Sequence, residues 1–204
     1  MDMSKVKIAE AARFCEELEA ATKSVYTHFE SLDASRIANI NAGSFGNFQR
    51  GITEEGAPIY TMDLMSERVR GLKHRYSMEK RKNGIKISVT EIERDGKAIA
   101  DKEVFLAVIN RNSFGLQSVE AAQTLVCKCQ INADTQRVNF GTNRRYVLRT
   151  TEKVARNSRQ HLESTMRELR GALRNFMKYS EMKKEVTLPS VSIILGEPKR
   201  AFRI

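Results

Sequence analysis

Beyond Gly84 the apolar residues of this chain fall at every second position, and that period decides what most of it can become. Ile85, Ile87 and Val89 alternate with Lys86, Ser88 and Thr90, the pattern of a strand with one buried face. Asp95-Gly96 then precedes the almost wholly apolar run Val104 to Ile109, which predicts a hairpin. Leu125, Cys127, Cys129 and Ile131 alternate with Val126, Lys128 and Gln130 in a third strand. Arg137 to Phe140 and Arg145 to Arg149 form a further pair around Gly141 to Arg144. Sequential hairpins make a mainly antiparallel sheet, here of five or six strands.

Elsewhere the period is helical. Ile8, Ala11, Cys15, Leu18, Thr22, Val25, Phe29 and Leu32 recur in steps of three and four, so a helix is expected over 4–32, with Ser4 capping its start and Asp33 at its exit. Residues 33–61 carry Gly43, Gly46, Gly51, Gly56 and Pro58 and read as an ordered connector with a short helix at 34–40. Met65, Val69, Leu72 and Tyr76 line one side of a second helix over 62–82, stopped by Asn83-Gly84. The longest helix is expected over 151–184, where Leu162, Met166, Leu169, Leu173, Phe176 and Met177 share one sector of the wheel. Val186 to Leu195 reads as a final strand, with Pro189 favouring a sheet edge. The expected fold is therefore α+β: an antiparallel sheet, a two-helix N-terminal region and a long basic amphipathic C-terminal helix. Residues 1–61 would form a helix and connector able to act as an assembly arm, and residues 62–204 the α+β core.

A chain of 204 residues that is 41% hydrophobic can bury an ordinary core without staples. No run approaches the roughly 18 apolar residues of a membrane span, and Met1 to Phe14 lacks the continuous apolar segment of a secretory signal. Three cysteines, Cys15, Cys127 and Cys129, cannot make a paired framework. A reducing setting, cytoplasmic or nuclear, is expected.

Thirty-five basic against twenty-five acidic side chains leave a formal net charge of +10. An excess of that size calls for an acidic partner. Its placement is informative, because residues 1–32 are net −2, whereas 63–83, 111–150 and 151–184 are net +4, +4 and +5. On the expected long helix Arg156, Arg159, Arg167, Arg170, Arg174 and Lys178 share one sector, with Glu152, Glu163 and Glu181 in reach of some of them. Guanidinium groups donate paired hydrogen bonds to phosphate, which suits nucleic acid. Arg144, Arg145 and Arg149 around Tyr146 resemble a single-strand platform, and Lys73 and Arg75 belong to a third basic cluster. Phe45, Phe114 and Phe140 each precede a glycine in expected loops, where a ring either stacks on a base or anchors its own loop.

Signals for catalysis are weak. His28, His74 and His161 read as solvated, and Cys127-x-Cys129 as a buried strand pair in need of two more ligands to hold a metal. Glu91, Glu93, Asp101 and Glu103 would fall on opposite faces of a hairpin that pairs Glu93 with Ala98 and Glu91 with Ala100. Phosphate-binding glycine loops and nucleophile elbows are absent from the sequence. The expectation is a non-enzymatic RNA-binding structural protein, without cofactor or metal, that forms a homo-oligomer through its N-terminal helix and packages a strand as a nucleocapsid or coat protein does; DNA is an alternative strand. Its rivals are a matrix-like scaffold on an anionic membrane surface and a regulatory module for an acidic protein.

Overall fold

The computed structural model describes residues 6–43, 47–120, 123–146, 149–154 and 158–197. Two helices, α1 (Ile8–Glu30) and α2 (Ala34–Gly43), precede nine strands. These are β1 (Asn47–Ile52), β2 (Pro58–Met65), β3 (Leu72–Arg81), β4 (Gly84–Arg94), β5 (Lys97–Asn110), β6 (Ser113–Glu120), β7 (Gln123–Asn132), β8 (Arg137–Tyr146) and β9 (Arg149–Val154). Helices α3 (Ser158–Tyr179) and α4 (Ser192–Leu195) follow. Each strand pairs antiparallel with its chain neighbours, giving one open meander in the order β1 to β9.

Five or six strands were too few, and the reason is a pattern that satisfies two periods at once. Met65, Val69, Leu72 and Tyr76 fit a helix, but Tyr60, Met62 and Leu64, and then Leu72, His74, Tyr76 and Met78, fall at every second position and form β2 and β3. Gly71, at φ +77, occupies the left-handed region in the turn between them, and a Cβ there would run into the Asp95 side chain. The helix expected over 62–82 is therefore absent. The connector at 33–61 likewise contains β1 and the start of β2, joined by a turn in which Gly56 has φ +79. A helix spanning 151–184 is not seen either: Arg149–Val154 is the last strand, and α3 covers Ser158–Tyr179 only. The tail expected as an edge strand instead packs α4 against α1, and the Arg159 guanidinium binds the Leu195 and Gly196 carbonyls. Asp33 caps α2 through its carboxylate, which accepts the Arg36 N–H at 2.8 Å, while Ser4 lies outside the described residues.

Strand register builds the core. Tyr60, Met78, Ile87, Ala107, Leu116, Cys127 and Thr142 lie directly opposite one another across seven strands, and all are buried. A neighbouring row runs from Phe48 through Met62, Tyr76, Val89, Phe105, Ser118 and Leu125 to Arg144. Both helices cover this face. Phe14 of α1 meets Phe114 at 5.3 Å, Phe176 of α3 meets Tyr76 at 6.2 Å, and Thr165 of α3 lies beside the Cys127 thiol. Cys15 lies beside Cys129, a proximity that holds Cys15 above its ordinary pKa and Cys129 below. Phe29 closes the core, with ring centroids 5.2 Å from Phe48, 5.2 Å from Tyr60 and 5.3 Å from Phe176.

The apolar stripe of α1, whose spacing suited either its own domain or a neighbouring copy, packs on the chain's own sheet. Neither Phe114 nor Phe140 sits in a loop: both belong to strands and face each other at 6.4 Å, while Phe45 lies outside the described residues. Because Phe29 joins two helices and two strands, Phe29→Ala is expected to cost about 3–5 kcal/mol. Urea denaturation should show that loss, and a loss below about 1 kcal/mol would mean the ring is not central.

Candidate nucleic-acid interface and the cavity beside it

Several strand cations are neutralised within the chain. Register places Arg75 opposite Asp63, and the guanidinium grips both carboxylate oxygens at 2.8 and 2.9 Å. Lys73 lies opposite Glu93 and binds it at 2.7 Å. Arg144 is half-buried on the inner row, where its guanidinium bonds Gln123 beside His161. These three residues were expected to face phosphate, and their positions in the sheet turn them to partners within the chain. The side chains of Arg145, Tyr146 and Arg149, and all of Arg156, lie outside the described residues.

Helix α3 behaves differently. Its buried residues, His161, Leu162, Thr165, Met166, Leu169, Ala172, Leu173 and Phe176, occupy the side toward the sheet. Arg167, Arg170, Arg174 and Lys178 emerge on the opposite side, all exposed, at intervals of three, four and four. At ~100° per residue they span a sector about 80° wide and about 16 Å long. Among the described residues none of the four has an ion pair; the Lys178 ammonium stands over the Tyr179 ring at 5.0 Å. Arg159 leaves the group, held by Glu163 at 3.6 Å and by the C-terminal carbonyls. Glu168 is turned away from the stripe toward Arg68, at 3.2 Å.

Beside the stripe, between α3 and the sheet, lies a cavity of about 480 Å³. Its floor is built from His74, Tyr76, Val89, Glu91, Phe105 and Ser118, its helix wall from Gly171, Ala172 and Asn175, and its rim from Met65 to Val69 with Arg174 and Lys178. The Asn175 side chain lies beside the Tyr76 hydroxyl, whose pKa burial raises. Burial also lowers the pKa of His74, opposed by the nearby Glu91 carboxylate. Glu91 is in turn held by Lys102 at 3.9 Å and Arg94 at 4.0 Å. Register shifts on both sides of it bring Glu91 opposite Lys102, not Ala100, whereas Glu93 pairs with Ala98 as expected. Among the described residues no group of three or more His, Cys, Asp or Glu could hold a metal ion.

Solvated histidines were expected; the structure buries His161 and leaves His28 and His74 half-buried. His161 is 8% exposed, His74 lines the cavity, and the Nε2 of His28 meets the Ser180 carbonyl at 3.0 Å. Reading 62–82 as a helix hid His74 and Tyr76, which become neighbours of α3 only once β3 exists. Gly171 was the one legible signal of the cavity: a glycine inside a strongly amphipathic helix, where it is disfavoured by about 1 kcal/mol relative to Ala.

Comparison with protein-family models, with curated proteins and with solved structures finds no match for the chain. Geometry has to carry the functional reading.

Burial lowers the pKa of both His74 and His161, the latter with help from Arg144, below the ordinary 6.5. The unfolded chain then binds protons more readily than the folded one, so this contribution to stability is complete above pH 6.5 and is lost as pH falls toward the folded values. Urea midpoints at about pH 7.5 and about pH 5.5 should show the drop, and His74→Gln should shrink it. An unchanged drop in that variant would remove His74 from the account.

Proposed function

We propose that the protein binds single-stranded RNA through α3, as a non-enzymatic strand-coating or packaging protein. The observation that supports this is the line of Arg167, Arg170, Arg174 and Lys178, exposed, without ion pairs among the described residues and gathered on one side of a single helix. A helix packed along a sheet holds these groups at fixed spacing, and three of the four are the residue best suited to phosphate. With α1 enclosed in the core, any assembly of copies along a strand would use another surface.

Four phosphate contacts predict a slope of about −2.8 in log affinity against log salt on single strands, or roughly 50-fold weaker binding at 200 than at 50 mM. Each of Arg167→Ala and Arg174→Ala should flatten that slope by about 0.7 without altering preference among sequences. Fluorescence anisotropy with oligouridylate measures both, and a flat salt dependence would sink the proposal.

A specific observation favours the membrane alternative as well. Met65 and Val69, 55% and 47% exposed, flank Arg68 on the turn between β2 and β3, an apolar tip set among cations. Cosedimentation with anionic but not neutral vesicles, undiminished by added RNA, would support that reading over the first.

A further inference from the structure

The cavity beneath α3 has features that packing alone does not require. Gly171 lies on its helix wall, at an unremarkable backbone conformation, and a Cβ built there would meet nothing within 4 Å. Alanine would stabilise the helix by about 1 kcal/mol and fit without adjustment, so no close packing requires glycine here, and the wall beside it is open. The lining is also mixed in a particular way. Tyr76 and Tyr179 contribute flat rings, while His74, Ser118, Asn175 and the Tyr76 hydroxyl contribute groups that donate and accept hydrogen bonds. At the rim stand Arg174 and Lys178, the last two members of the exposed stripe.

We propose that this cavity receives one nucleobase of the strand whose phosphates lie along Arg167, Arg170, Arg174 and Lys178. The inference rests on the RNA-binding reading and adds to it a place where bases are felt. A volume of about 480 Å³ admits a single base with its sugar and excludes a stacked run. Arg174 and Lys178 serve both features, so a phosphate held by them sits at the mouth and its own base can turn inward. Tyr76 and Tyr179 offer it stacking surfaces, and the polar groups on the floor offer partners for its edge. An acyl chain in the same space would leave His74, Ser118 and Asn175 facing hydrocarbon, which is unfavourable for each. Entry needs little work, because the contact that joins the turn to the helix at the rim is the solvent-exposed pair of Arg68 and Glu168.

The test compares oligouridylate with an abasic ribose-phosphate strand of the same length, against the full chain and the Gly171→Leu variant. Base insertion predicts that the wild type prefers oligouridylate by roughly 5- to 150-fold, the range for one stacked base. Gly171→Leu, which fills the cavity, should abolish the preference while keeping the affinity for the abasic strand and its salt dependence. Equal binding of the two strands by the wild type would overturn the inference and leave the polyanion reading standing. Failure of both strands to bind would remove that reading itself. Should the variant not fold, a 2-aminopurine placed in the strand decides the matter on the wild type: shielding of the base from iodide quenching supports insertion, and free access refutes it. Loss of dodecyl phosphate binding in Gly171→Leu, with strand preference intact, would assign the cavity to a lipid and overturn the inference.

Discussion

One buried face, running from β1 to β8, has to be covered along its length, and most of what this molecule can do follows from how it is covered. Residues on that face line up in rows across the meander, and two helices of 23 and 22 residues lie over them. Apolar burial of this kind is the main favourable term in folding, and it claims the large apolar side chains of α1 from Phe14 to Phe29. Phe29 shows how tightly the parts are joined, since its ring touches residues of two strands and of the other helix.

Covering the sheet also sorts the charges. Within an antiparallel meander a basic residue has a neighbour directly opposite, and here that neighbour is often a carboxylate: Asp63 for Arg75, Glu93 for Lys73. Cross-strand pairs of opposite charge are favourable, so such cations are spent inside the chain. Helix α3 has no strand beside its outer side. Its carboxylates go elsewhere, Glu163 to Arg159 and Glu168 to Arg68, and four cations are left in line. Part of the net charge of +10 is thus displayed together on the side of α3 away from the core.

The same helix forms the wall of the cavity, and this places both proposed contacts on one element. Rigid helices position groups more reliably than loops do, which suits a surface that must hold phosphates at set intervals and admit a base between them. Gly171 belongs to the open part of that wall, at a local cost in helix stability.

Much of this was legible in the residues. The spacing of apolar side chains specified α1, the buried side of α3 and strands β4, β5 and β7, because periodicity is a property of one segment and needs no knowledge of the rest. The excess of positive charge and its concentration late in the chain were equally plain. What only the tertiary structure decided were relations between distant segments: that 62–82 makes two strands instead of a helix, that Arg75 and Lys73 meet carboxylates while Arg167, Arg170 and Arg174 do not, and that His74, Tyr76 and Gly171 share a cavity. Leu72 and Tyr76 fit both periods, and pairing with β4, together with the left-handed turn at Gly71, is what chose between them. Pattern in a segment records which side is to be buried, but the partner that buries it is fixed only when the segments meet.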